Sequence, residues 1–218
     1  MTDIAANIRH ILSTLPQEVT LVAVSKFHPA EAIMEAYDAG QRVFGESRAA
    51  ELATKAASLP DDIQWHFIGH LQTNKVRQVL PHVSLIHSVD SERLLRAIDA
   101  EAAKLGITAK VLLQVHVAAE ETKYGFMPDE LLLCAKQVIP TLPNVEVAGV
   151  MGMATNTDCA ARVEQDFAAI HACAKELQNI IPNAKIISMG MSHDYPIAVA
   201  NGATMVRIGT DIFGAREY

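Results

Sequence analysis

The chain has 218 residues, 50% of them hydrophobic and 20% charged, with a net charge of -7 at pH 7. That balance fits an ordinary folded domain with a sizeable core, and an acidic chain without a Lys/Arg-rich run is a poor partner for nucleic acid or an anionic membrane. No apolar run approaches the roughly 18 residues of a membrane span, and the start of the chain does not pair a basic region with an apolar one, so neither membrane insertion nor export is expected.

Strand-like and helix-like segments alternate from end to end. A first helix is predicted over 2–14, where Ile4, Ile8, Ile11, Leu12 and Leu15 approximate one face. Strands are predicted over 20–26, 42–46, 63–69, 85–89, 109–117, 145–153, 185–190 and 205–210. Helices fill the gaps, over 29–39, 48–58, 73–80, 91–105, 128–138, 158–180 and 194–201. Ser91 and Glu92 mark one helix start, and Gly40, Gly106 and Gly202 mark three ends. Continuous apolar runs such as Val111-Leu112-Leu113-Gln114-Val115 suit parallel strands buried on both faces. Eight βα units in about 200 residues predict an α/β fold, a single-domain (β/α)8 TIM barrel over 1–218 with an extra N-terminal helix. A doubly wound open sheet is the competing architecture, and the lack of a G-x-G-x-x-G turn after the first strand weighs against it.

The three cysteines, Cys134, Cys159 and Cys173, show no metal-ligand spacing. Cys159 and Cys173 are fourteen apart on one predicted helix, roughly 21 Å, too far for a disulfide. All three read as structural thiols of a reducing compartment, and a cytoplasmic location is expected.

In such a barrel the chemistry sits at the carboxyl ends of the strands. On the first strand Val22, Val24 and Lys26 share one face, which carries an amine to the end of a core-facing row. Burial disfavours an ammonium, so Lys26 is a candidate Schiff-base nucleophile; a strand-end lysine reaching solvent is the competing reading. The seventh and eighth strand ends, Ser188-Met189-Gly190-Met191-Ser192 and Arg207-Ile208-Gly209-Thr210, form a candidate phosphate cradle. Ser192 would stand at the start of helix 194–201, Gly209 would allow close backbone approach and Thr210 would add a hydroxyl. Ser192 as a plain cap and Gly209 as a barrel-end glycine are the alternatives. Arg207 faces the same way as Gly209, either into the barrel, where it needs a partner, or outward to a helix. His66 and His70 are four apart, but on a strand end rather than a helix, so no zinc pair is expected, and the adjacent Ser192-His193-Asp194 cannot form a catalytic triad. Met151, Met153, Met189 and Met191 are placed near the mouth; the other methionines read as core.

Seven segments carry a resemblance. They are Val22-Ala23-Val24-Ser25-Lys26; Phe44-Gly45-Glu46; Trp65-His66-Phe67-Ile68-Gly69-His70-Leu71-Gln72 with Asn74-Lys75; Ile86-His87-Ser88-Val89-Asp90; Glu121-Thr122-Lys123-Tyr124-Gly125; Ser188-Met189-Gly190-Met191-Ser192 with Asp194; and Val206-Arg207-Ile208-Gly209-Thr210 with Ile212-Phe213-Gly214-Ala215-Arg216. In this order and over nearly the whole length, they make the chain resemble the pyridoxal phosphate homeostasis protein family, a single-domain relative of the alanine racemase barrel. The resemblance implies that Lys26 holds pyridoxal 5'-phosphate (PLP) as an internal aldimine. It further implies that Ser192, Gly209 and Thr210 bind the phosphate and that Arg207 faces the pyridine nitrogen. Ser47, His70 and Met151 complete the expected cofactor contacts. Ser47 and His116 stand where the family usually has Asn.

Arginine stays protonated and can only donate, so Arg207 would keep the ring nitrogen unprotonated and weaken the electron sink. The resemblance also says that racemases with this barrel take a second base, a tyrosine, from an additional C-terminal domain. The chain runs only eight residues past the last predicted strand, and no such domain is expected. The expectation is therefore a monomer that buffers or hands over PLP, to PLP-dependent apoenzymes among others, without efficient catalysis. A small racemase or Schiff-base lyase recruiting His70 or His116 is the enzymatic alternative. A phosphate-binding barrel in which Lys26 is only an ion-pair partner is the non-covalent one.

Overall fold

The eight predicted strands close on themselves in chain order in the computed structural model, which describes residues 3–120 and 124–215. They are β1 (Thr20–Val24), β2 (Val43–Glu46), β3 (Gln64–Phe67), β4 (Leu85–Val89), β5 (Ala109–Gln114), β6 (Val145–Met151), β7 (Ile186–Ser188) and β8 (Met205–Ile208). All neighbours run parallel, and β1 pairs with β8 in the register Thr20↔Met205 to Ala23↔Ile208. That last pairing removes both sheet edges and rules out the open-sheet alternative.

Helices alternate with the strands: α1 (Ile4–Thr14), α2 (Ala30–Asp38), α3 (Ala49–Ala56), α4 (Val76–Val79), α5 (Glu92–Leu105), α6 (Pro128–Gln137), α7 (Ala160–Ile180), α8 (Tyr195–Ala200) and α9 (Thr210–Phe213). The expected caps hold. Ser91 Oγ accepts the Leu94 N–H, and Gly106 ends α5 in the left-handed region at φ 65°. The extra helix α1 starts on Asp3, buries Ile4, Ile8 and Ile11, and is tied to the far end of the chain by Asn7 Nδ2 donating to the Ile212 carbonyl at 3.0 Å.

The core has two layers, as alternation along buried parallel strands requires. The larger lies between barrel and helices and includes Ile33, Phe44, Leu52, Phe67, Ile98 and Phe167. The smaller fills the barrel with Val22, Leu85, Leu112, Ala148, Met151 and Met205. Above this apolar floor the inward positions turn polar, with His66, His87, Ser188 and Arg207 all buried. Several strands end earlier than predicted, at Val24, Phe67, Gln114 and Ile208, because residues beyond those points leave the ladder to form the mouth. Thr210, assigned to a strand by its sequence, opens α9 instead. All three cysteines are free thiols; Cys134 and Cys173 are buried and Cys159 is exposed. No described helix is long and apolar enough to cross a membrane.

Candidate functional site

A cavity of about 260 Å³ opens at the carboxyl ends of the strands, lined by Val24, Lys26, Ile68, Met153, Met191, Ser192, His193, Arg207, Gly209 and Thr210. Five of the eight expected contact residues thus meet in one pocket: Lys26, Ser192, Arg207, Gly209 and Thr210. Val22 lies in the barrel floor and Val24 and Lys26 reach the cavity above it, so the inward row read from β1 is the one observed.

The backbone on each side of Lys26 is held by a buried ionic cluster from β2 and α3. Ser25 Oγ donates to Glu46 Oε1 at 2.7 Å. Lys55 Nζ donates to the Ser25 carbonyl at 2.9 Å, to Glu46 Oε1 at 2.7 Å and to Glu51 Oε1 at 2.7 Å. On the other side the Phe27 N–H donates to Glu51 Oε1 at 2.6 Å, and the Arg48 guanidinium lies 4.4 Å from the Phe27 ring centroid. Phe27 is in the left-handed region at φ 68°, the only non-glycine there among the described residues. Burial raises the Glu46 carboxyl above its ordinary pKa, with Lys55 opposing. The Phe-Gly-Glu motif does not by itself show what Glu46 does; Glu51 and Lys55, spaced i,i+4, read as an ordinary helix-surface pair, and only the fold brings them to Glu46.

Arg207 points into the barrel. Its NH1 donates to the Ser188 carbonyl at 2.8 Å and to Ser188 Oγ at 2.7 Å, and its NH2 to the Gly152 carbonyl at 3.1 Å. Burial lowers its pKa to about 10, against the opposing field of Asp194, so the guanidinium stays charged at neutral pH.

Ser192 lines the pocket but does not cap α8. Asp194 holds the cap position, and its carboxylate accepts the Met191 N–H at 2.6 Å and faces His193 Nε2 at 3.3 Å. The chain reverses at Gly190, whose φ of 94° breaks the strand's alternation. That break explains why Met189 is fully buried in the outer core while Met191 reaches the pocket. The ladder of β6 is irregular at Gly149, which puts both Ala148 and Met151 in the barrel floor; from Met151 on the alternation resumes, and Met153, one layer higher, lines the cavity.

Ser47 and His70, like Met151, do not line this cavity. They border an adjoining cleft with Arg48, Gln72 and Lys75. His70 is drawn there by two contacts: its Nδ1 lies 3.0 Å from Asp90 Oδ2, and its ring stacks on Tyr124 at 3.9 Å. Tyr124 and Gly125 are the described part of the fifth segment that carries the resemblance; Glu121, Thr122 and Lys123 lie outside the described residues, as does Arg216. His66 points the other way from His70, into the barrel against His87, and among the described residues no His/Cys/Asp/Glu cluster could hold a metal.

A closed barrel with a lysine, an arginine and hydroxyls converging at its carboxyl mouth defines a class, and the alanine racemase N-terminal domain model matches residues 1–217. Alanine racemase of Clostridium difficile superposes with a TM-score of 0.80 over 99% of this chain and 57% of its own at 15% identity, a likeness of fold. The pyridoxal phosphate homeostasis protein of Pasteurella multocida is 37% identical over 100% of this chain and 97% of its own. PipY of Synechococcus elongatus, solved without and with PLP, superposes with TM-scores of 0.92 and 0.90 at 44% and 43% identity, over 97% of this chain and 100% of that one. The chain belongs to the pyridoxal phosphate homeostasis protein family.

Proposed function

We propose that this protein binds PLP in the Lys26 pocket and serves PLP homeostasis, and with it amino-acid and keto-acid balance, by holding the cofactor rather than by turning over a substrate. The observation that carries the reading is the meeting of Lys26, Arg207, Ser192 and Thr210 around one cavity of about 260 Å³. That volume lies just under the range of about 300–1,000 Å³ usual for ligand pockets, which suits one ring with one phosphate. The donor set fits as well. Lys26 supplies the amine for a reactive aldehyde, Ser192 and Thr210 supply hydroxyls for a phosphate, and Gly209 leaves room beside them. Arg207 supplies a fixed donor for a ring nitrogen that can only accept.

Bound PLP supplies an electrophilic carbon and an electron-accepting ring. The residues around it support storage over catalysis. An arginine donor facing the ring nitrogen would keep that nitrogen unprotonated and blunt electron withdrawal. Besides Lys26 and Arg207, His193 is the lone titratable group among the described lining residues, and Asp194 engages its Nε2. Neither a tyrosine nor a carboxylate stands among them to move a proton on the opposite face. Transfer of the cofactor to PLP-dependent apoenzymes, action as a monomer and a cytoplasmic location belong to the same proposal.

The test is the absorption spectrum of the purified protein with PLP, before and after borohydride, beside Lys26→Ala. A visible band that bleaches on reduction, a cofactor mass fixed on the Lys26 peptide, and neither in the variant are the expected results. A colourless wild type after soaking with PLP overturns the reading. Absence of solvent-deuterium exchange at the α-carbon of added alanine, beyond that given by free PLP, is the expected sign that turnover is not the role.

A further inference from the structure

Four strands contribute to a row of hydrogen bonds inside the barrel that the reading above does not use. From Arg207 on β8 it passes to Ser188 on β7, then to His87 on β4 and His66 on β3. The Arg207 NH1 to Ser188 Oγ distance is 2.7 Å, Ser188 Oγ to His87 Nδ1 3.0 Å, and His87 Nε2 to His66 Nδ1 3.0 Å. Each of the four residues is at most 5% exposed. Two imidazoles in a barrel core are costly compared with apolar side chains unless their polar atoms are paired.

The polarity of the row follows from its first member. A guanidinium can only donate, so Ser188 Oγ accepts from Arg207. The Ser188 hydroxyl proton then needs an acceptor, and His87 Nδ1 stands at hydrogen-bond distance. An unprotonated Nδ1 puts the His87 proton on Nε2, which donates to His66 Nδ1 and leaves the His66 proton on its own Nε2. In the reverse direction Ser188 Oγ would accept twice, and its own proton would have no partner in the row. Both rings are neutral: burial lowers His66 to about 4, with Lys110 adding to the effect, and lowers His87 well below its usual value, with His66 and Arg207 adding to it.

We propose that Ser188, His87 and His66 are positioning residues, a one-directional hydrogen-bond row that fixes where Arg207 presents its remaining donors and thereby holds the ring nitrogen of bound PLP in its unprotonated form. The proposal rests on the PLP reading. Its first half, the polarity of the row, concerns only side chains of the protein.

The test has two arms. Long-range ¹H–¹⁵N correlation spectra of the histidine rings in the wild-type protein at neutral pH, assigned with His87→Gln and His66→Gln, should find both protons on Nε2 and both Nδ1 atoms bare. A proton on Nδ1 of either ring overturns the proposal, and this arm needs no cofactor. In the second arm, Ser188→Ala should shift the visible band of the PLP complex and weaken PLP binding about tenfold, the loss of roughly one hydrogen bond to a charged group. Ser188→Thr, which keeps the hydroxyl, should restore both. A Ser188→Ala protein with wild-type band and affinity overturns the coupling to the cofactor. If the wild type forms no band at all while both Nε2 atoms carry protons, the PLP reading falls and the row survives as a feature of the barrel alone.

Discussion

Lys55 Nζ donates to the Ser25 carbonyl at 2.9 Å across thirty residues of sequence, and the same ammonium is shared by Glu46 and Glu51. One buried cation therefore ties α3 to the end of β1, one residue before Lys26. Glu46 is fully buried and its Oε2 has no hydrogen-bond partner, so the cluster is costly to desolvate and depends on Lys55 to remain ionised. Lys55→Met should therefore destabilise the fold by about 3–5 kcal/mol, the range for stranding one half of a buried pair. Adding Glu46→Gln to that variant should recover part of the loss. Urea unfolding of both variants checks this, and additive effects of the two changes would show that the cluster does not act as a unit.

Stability should also depend on pH through the barrel histidines. His66 titrates near 4 in the folded chain against about 6.5 when unfolded, because burial penalises its charged form. Between those values the unfolded chain binds more protons, so stability rises with pH across the window and falls as pH drops through it. The contribution of His66 amounts to roughly 3 kcal/mol from end to end. Denaturant midpoints measured from pH 7.5 to pH 4.5 should show this slope, and His66→Gln should flatten it. An unchanged slope in the variant would assign the dependence to other groups.

The strand count, their order and every helix but the last, α9, were legible because parallel strands buried on both faces read as unbroken apolar runs, separated by helices with ordinary caps. Lys26, Arg207, Ser192, Gly209 and Thr210 were legible for a related reason: each sits where a strand row runs out at the carboxyl end. Met189 was placed wrongly because Met189 and Met191, two apart, read as facing one way; Met189 follows inward-facing Ser188 and turns to the outer core by plain alternation, and the positive φ at Gly190, which a sequence does not display, brings only Met191 back to the pocket. Lys55 reads as a helix-surface lysine by pattern, and only the packing of α3 on the β1 end buries it. His66 shares its row with Gln64 and Ile68 and His87 shares its row with Leu85, and no local spacing announces that the two rings meet across the barrel.

Gly209 probes the phosphate half of the site. A Cβ there would lie 3.2 Å from the Val24 carbonyl oxygen and 3.3 Å from Val24 Cβ, tight enough that the β1 and β8 ends must part by a few tenths of an ångström. Gly209→Ala should cost about 1 kcal/mol of stability, the low end for overpacking. The same displacement moves Thr210 and its hydroxyl, so PLP binding should weaken about tenfold, beyond what the stability loss explains. Titration with PLP beside thermal unfolding separates the two effects. Undiminished affinity would place the phosphate elsewhere in the pocket.

Phe27 offers a way to loosen Lys26 without dismantling the core. A left-handed conformation costs an L-residue roughly 1–2 kcal/mol, which glycine would recover. Against that gain stand the greater freedom of glycine in the unfolded chain, about 0.5–1 kcal/mol, and the loss of the Arg48–Phe27 contact, about 0.5–1 kcal/mol. The terms nearly cancel, so Phe27→Gly should unfold within about 1 kcal/mol of the wild type. The Glu51 bond to the residue 27 N–H survives the change, but the backbone beside Lys26 gains access to conformations that the phenylalanine forbids. PLP should then leave the variant several-fold faster, measured as loss of the visible band when excess apoenzyme competes for the cofactor. Equal release rates at equal stability would mean that the conformation of Phe27 has no part in retaining the cofactor, and that the ionic cluster alone holds Lys26 in place.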